Sequence, residues 1–242
     1  MTKLLPRLAI TAAAMACIGG AHAAVITFDG LDASPFAPYM PLVTHWDEFY
    51  QSGYWIDGFS NQAGAQYGDL VGAIVDGSDV VNTCLSVACP TNNPTHFYTA
   101  LNDGLMVFGR EDSTLFKLKG LDASFVGASG DIYPGVTLIL KAQGIRANGS
   151  SLTTSVFLPG PVGGAFSFSN YAFNSTFANT EFQYVYLYGL ACDAGGSCSA
   201  FSSDKGQFAV DNITAVPEPA EWTLMGLGLL AVGAMARRRS AA

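Results

Sequence analysis

The sequence predicts an all-β, jelly-roll-like β-sandwich carried between two apolar terminal segments. Three observations predict it. Short β-branched and aromatic runs recur between Gly, Asn and Asp turn residues. No long stretch outside the two ends shows the 3.6-residue periodicity of a helix. Finally, 242 residues, 50% of them hydrophobic and 12% charged, suffice for one large packed domain and are too apolar for a disordered chain.

The chain opens on what reads as a secretory signal peptide, residues 1–23. Lys3 and Arg7 supply the positive region, an apolar run follows over residues 8–18, and Ala21-His22-Ala23 places small residues at −3 and −1 of a cleavage site before Ala24. A buried helix of the fold is the alternative; the order of the three parts favours the signal. Cys17 does not mark a lipoprotein, because Ala14-Met15-Ala16-Cys17 lacks the usual leucine three residues before the cysteine.

Residues 24–215 then form the predicted sandwich domain. Val25-Ile26-Thr27-Phe28 is its first strand. Residues 105–108, 114–118, 136–140 and 154–158 are apolar or β-branched runs between turn residues, as strands should be. Phe182, Tyr184, Tyr186 and Tyr188 alternate with Gln183, Val185 and Leu187, so both faces are mostly apolar and the stretch reads as a central strand. Residues 208–213 are the last strand. Asn102-Asp103-Gly104 reads as a tight hairpin turn. Gly30-Leu31-Asp32-Ala33-Ser34 recurs as Gly120-Leu121-Asp122-Ala123-Ser124, a shared turn type too short to establish duplication.

Loss of Cys17 leaves Cys84, Cys89, Cys192 and Cys198, an even number that suits export. Three pairings are open. The favoured ones are local, Cys84–Cys89 and Cys192–Cys198, each clasping a loop rich in Ser, Gly, Pro or Asp. The competing zinc reading lacks the two-residue spacing of zinc knuckles.

The balance of 11 Lys+Arg against 19 Asp+Glu, a net charge of −8, argues against general nucleic-acid binding. Most of the acids between the two ends are aspartates, which first means turns and caps. Catalytic signatures are missing from the pattern. There is no Gly-x-Ser-x-Gly elbow and no His-Glu-x-x-His helix. Glu48, Glu111 and Glu181 are scattered, and spacing selects no pair of the kind a glycosidase needs.

Two candidate sites remain. Tyr54, Trp55 and Asp57, in a stretch from Ser52 to Asn61, set aromatic faces beside a carboxylate, the chemistry that stacks on sugar rings and fixes hydroxyls. Burial in the core is the competing reading. His45, Trp46, Asp47 and Glu48 form a similar cluster, against a solvated loop. Asp29 follows the first strand and Asp211 lies in the last. Their arrangement resembles that of jelly-roll carbohydrate-binding modules and related extracellular sandwiches, which implies a structural Ca²⁺ between first and last strands. The plain alternative is that Asp211 pairs with backbone amides. Asp76-Gly77-Ser78-Asp79 does not fit the alternating acids of an EF-hand.

The C-terminus, residues 216–242, is the most specific segment. Pro217-Glu218-Pro219 leads to Trp222, a Gly-containing apolar run over residues 223–236, and Arg237-Arg238-Arg239. As a helix that run spans about 21 Å, short of a hydrocarbon core of ~30 Å. Trp222 and a snorkelling Arg237 would extend it. An ordinary membrane tail is the alternative. In its order this tail resembles the PEP-CTERM sorting signal. The resemblance implies an exosortase as partner, cleavage near Pro-Glu-Pro, transient inner-membrane anchoring, and a Gram-negative bacterium that makes exopolysaccharide. Short motifs across the domain, from residues 68–73 through Cys84 and Cys89 to residues 208–213, are similar to a recurrent class of PEP-CTERM ectodomains with no established activity. The resulting expectation is a non-enzymatic surface or matrix protein with weak glycan contacts. Its rival is a secreted carbohydrate-active enzyme, which would need two facing carboxylates, one with a raised pKa.

Overall fold

In a computed structural model, described here for residues 23–31, 42–84, 87–128, 138–193, 195–201 and 205–217, the regular secondary structure of the domain is almost all strand. The compact unit is Ala23–Val216. In chain order the strands are β1 (Ala24–Ile26), β2 (Leu42–Thr44), β3 (Asp47–Gln51), β4 (Tyr54–Phe59), β5 (Leu70–Asp76), β6 (Val87–Ala88), β7 (His96–Ala100) and β8 (Leu105–Arg110). They continue as β9 (Phe116–Phe125), β10 (Gly127–Ala128), β11 (Leu138–Ile145), β12 (Ser151–Leu158), β13 (Ser169–Ala172), β14 (Tyr184–Cys192), β15 (Cys198–Ser199) and β16 (Phe208–Pro217). The only helices among the described residues are single turns, at Gly77–Asp79, Val80–Thr83 and Ser175–Ala178. None of the described helices is long and apolar enough to cross a membrane.

Two antiparallel sheets make the sandwich. One runs β13-β9-β16-β7-β5-β2, with β1 added on β16; the other runs β12-β11-β14-β8-β4-β3, with β15 added on β14. Alternation decides what each strand buries. In β11, Leu138, Leu140 and Ala142 point into the core, while Ile139, Lys141, Gln143 and Ile145 point out. The core between the sheets is aromatic: Phe28, Tyr54, Tyr98, Phe108, Phe116 and Phe182 are all fully buried. Phe116 meets Tyr54 edge-on at 5.3 Å, a favoured ring geometry.

A second, smaller core joins Ala73, Val75, Phe97, Val126 and Ala209 to Cys84 and Cys89. Ile74 packs in the main core instead, so β5 is buried on both faces. Both disulfides have the local pairing, Cys84–Cys89 and Cys192–Cys198. They suit an extracellular or periplasmic protein.

The tight turn expected at Asn102-Asp103-Gly104 is not a hairpin. It carries the chain from β7 in one sheet to β8 in the other. Asn102 and Asp103 do adopt the positive φ values, 52° and 53°, that made the motif legible. Here they turn a corner between sheets, closed by Gly104 N–H donating to the Leu101 carbonyl at 2.7 Å. The Asp103 carboxylate accepts from Gly206 N–H at 2.6 Å. Of the terminal segments, the signal peptide and the tail from Glu218 through Pro219, Trp222 and Arg237-Arg238-Arg239 lie outside the described residues. Pro217 closes β16.

Candidate functional site

The outward face of the second sheet carries a groove, and strand alternation builds it. In β4, Tyr54 and Ile56 point into the core, while Trp55, Asp57 and Phe59 point out. In β14, Val185 and Leu187 are buried and Tyr184, Tyr186 and Tyr188 stand on the outer face. β8 lies between these strands, pairing β4 through Trp55↔Gly109, Asp57↔Val107 and Phe59↔Leu105. Its other side pairs β14 through Gly109↔Tyr184 and Val107↔Tyr186. A strand presenting Gly109, Val107 and Leu105 is thus flanked by two aromatic rows. The small strand becomes a floor and the rings become walls.

Trp46, Trp55 and Phe59 line one side and Tyr184 and Tyr186 the other, around a hollow of about 360 Å³ with Val107 and Asp57 between them. Phe59 and Tyr186 also border a second hollow of about 400 Å³, which continues past Leu105 to Tyr188, Gln143 and Phe201. From Tyr184 to Tyr188 the wall runs about 13 Å at the usual strand rise, room for more than one sugar ring. The rings hold each other upright. Trp46 meets Phe59 edge-on at 4.7 Å, Tyr184 meets Tyr186 at 5.5 Å, and Tyr188 stacks near Phe201 at 5.2 Å. His45 is buried beneath Trp46 and Phe59, and its Nδ1 accepts the Ser60 N–H at 2.9 Å. Trp46 itself remains 56% exposed.

Gly109 is required here. A Cβ at that position would lie 2.7 Å from the Trp55 ring and 2.9 Å from the Gln183 carbonyl oxygen, so the indole rests on bare backbone.

Asp57 is the polar centre of the groove. Its Oδ1 is buried and has no hydrogen-bond partner among the described residues. Burial first, then the charges of Glu48 and Asp47, push its pKa up to about 6. Glu48 is its direct cross-strand neighbour and accepts a hydrogen bond from the Tyr50 hydroxyl. One row across the sheet therefore reads Glu48, Asp57, Val107, Tyr186, Gln143.

Of the residues expected at a sugar site, Trp55 and Asp57 line this groove, while Tyr54 does not. Tyr54 is fully buried, because neighbouring residues of a strand point to opposite faces. Trp46 joins the groove, and Glu48 stands at its rim. Phe59 falls in the stretch from Ser52 to Asn61 already singled out, whereas sequence reasoning missed Tyr184, Tyr186, Tyr188 and Phe201 as site residues. The alternate tyrosines were visible as a strand; that they share one outward face follows from Val185 and Leu187 being the inward pair.

Asp29 and Asp211 are brought close, since the charge of Asp29 is among the influences raising Asp211. Burial is the largest cause, hydrogen bonds from Asn93 and Asn212 N–H oppose it, and the carboxyl stands at about 6. Asp211 is fully buried. Its Oδ2 accepts from Asn93 at 2.7 Å and its Oδ1 from Asn212 N–H at 2.7 Å. Asp29 accepts from His96 N–H at 3.0 Å. Both Asp211 oxygens are therefore used by the protein, and no group of three His, Cys, Asp or Glu side chains able to hold a metal occurs among the described residues.

No protein-family model and no curated protein matches the chain. Among solved structures it is similar to a DUF4465 family protein from Bacteroides caccae, with a TM-score of 0.53 and 13% identity over 81% of this chain and 100% of that one. That likeness shows the two-sheet fold. A DUF4465 family protein from Bacteroides ovatus aligns over 81% of this chain and 99% of that one, at 6% identity and a TM-score of 0.43. TmCBM61, solved in complex with β-1,4-galactotriose, aligns over 69% and 90%, at 10% identity and a TM-score of 0.31.

Proposed function

We propose that this chain is an exported, non-enzymatic surface or matrix protein whose jelly-roll-like sandwich holds a polysaccharide strand weakly in the groove along β8. One observation carries the reading. Trp46 and Trp55 face Tyr184 and Tyr186 across an open hollow with a carboxylate between them. Aromatic faces of this kind stack on the apolar faces of sugar rings, and a few polar groups then fix orientation. Exopolysaccharide is the partner that an exported protein with this groove would meet. The tail supports a route there: Pro217-Glu218-Pro219, Trp222 and Arg237-Arg238-Arg239 would present the chain to an exosortase after transient anchoring in the inner membrane.

The test is retention of the purified, disulfide-intact protein on a polysaccharide panel, with calcium and with chelator. Trp55→Ala and Tyr186→Ala should each weaken retention roughly ten-fold, the size of one contact of about 1.4 kcal/mol. Equal retention with chelator would leave Ca²⁺ no part in binding; loss with chelator would give it one. No retention of any glycan by folded protein would sink the reading and leave a passive surface domain.

One observation favours a second reading. Glu48 and Asp57 face each other across β3 and β4, and directly opposed side chains start about 5 Å apart. A carboxylate pair with one raised member is what glycoside hydrolysis uses. Release of reducing ends by the wild-type chain, abolished in both Glu48→Gln and Asp57→Asn, would replace binding by hydrolysis.

A further inference from the structure

The groove has charge of one sign only. Asp57 offers an oxygen that is buried and unpartnered among the described residues. Such an acceptor costs free energy until something donates to it. Glu48 stands beside it in the same cross-strand row, and Asp47 adds its charge. Lys141 is the one basic residue among the described outward-facing positions of that sheet. It lies on β11 opposite Tyr188, on the far side of the tyrosine wall from Asp57. The walls beside Asp57 are the faces and edges of Trp46, Trp55, Tyr184 and Tyr186. Aromatic faces attract cations, most strongly when water is excluded.

A carboxylate with no counter-charge, set among aromatic rings, is complementary to an ammonium group, which donates three hydrogen bonds and carries the missing charge. A uronate or sulfated polymer would bring like charge to Asp57 and Glu48. A neutral polymer would satisfy the free oxygen but leave the negative charge uncompensated. We infer that the groove selects a polymer of protonated amino sugars over a neutral or acidic one, which rests on the glycan reading above.

The test compares four probes on the full, disulfide-intact chain near pH 7 and at low salt. They are a glucosamine hexamer, the N-acetylglucosamine hexamer of equal length, a galacturonate oligomer, and 1,6-diaminohexane. The glucosamine hexamer should bind at least ten-fold tighter than its acetylated counterpart, and the galacturonate oligomer weakest. Asp57→Asn should bring the ratio of the two hexamers close to one, and added salt should shrink it in the wild type. Should Asp57→Asn fail to fold, Glu48→Gln, at the exposed rim, should reduce the ratio several-fold. Equal binding of the two hexamers by the wild type would overturn the charge preference and leave the glycan reading standing. Binding of none of the oligomers would overturn both. Diaminohexane binding as tightly as the glucosamine hexamer would show an amine site and overturn the polymer assignment.

Discussion

Asp57 titrates in the direction that costs stability. Its folded pKa of about 6 lies above the ordinary 3.8, so the folded protein favours the protonated carboxyl. The sign follows: stability is lost as pH rises from about 4 to about 6 and stays lost above. The groups around it are Asp47 and Glu48 on β3, Tyr186 on β14 and the buried Tyr98 beneath, none of them cationic. Asp57→Asn should therefore stabilise the fold at pH 7 by about 1 kcal/mol, after allowing for the half-exposed site and solvent screening. The gain should vanish below about pH 4. Denaturant unfolding at the two pH values measures it, and an equal gain at both would show that titration is not the cause. Tyr98 makes a parallel case in the core. Its hydroxyl is buried with no partner among the described residues, lodged where Gly72 and Gly58 leave room, and burial pushes its pKa up. Tyr98→Phe removes an unsatisfied group and should raise stability by about 1 kcal/mol, read as an upward shift in the unfolding midpoint with an unchanged m-value.

The site is a property of three strands taken together. β8 supplies small residues, β4 and β14 supply rings, and pairing alone converts that contrast into a groove. Gly109→Ala tests the arrangement. The new methyl would meet both the Trp55 ring and the Gln183 carbonyl below 3 Å, and the carbonyl belongs to backbone. The variant should lose about 1–3 kcal/mol and shift the Trp55 near-UV signal, with glycan retention falling alongside. An unchanged tryptophan signal would mean that Trp55 does not rest on Gly109. This division of labour also explains what the sequence could and could not tell. The strands around Val107, Ile139, Val156 and Val210 were legible because their composition and flanking turns are local signals. The tyrosines of β14 were legible as a strand, but their role needed Val107 as a neighbour, and that pairing joins residues far apart in the chain. Tyr54 was misplaced because an aromatic beside polar residues looks alike on either face; only the inward packing against Phe108 and Phe116 decides it. Asn102-Asp103-Gly104 showed its positive φ and not which sheet received the next strand.

At the scale of the whole molecule, the two ends of the sandwich meet. β1 pairs with β16 through Ala24↔Ala215, Val25↔Thr214 and Ile26↔Ile213, and Ile26, Ile213 and Ala215 are fully buried. The signal-peptide cleavage expected before Ala24 and a cut near Pro217 would both fall just outside the last rung of this ladder. Processing at both ends would then leave the sheet whole. A protein spanning residues 24–217 should unfold within about 2 °C of the full chain. Ending it at Asn212 instead removes three rungs and two buried side chains, and should cost several kcal/mol by the usual value of about 25 cal/mol per Å² of apolar surface. Mass spectrometry of the protein recovered from cells tests the processing proposed above. A C-terminus within a few residues of Pro217 is expected, and replacing Pro217, Glu218 and Pro219 by Ala should leave Trp222 and Arg237 attached. A released protein that keeps its arginines would show that the ladder's end and the processing site are unrelated.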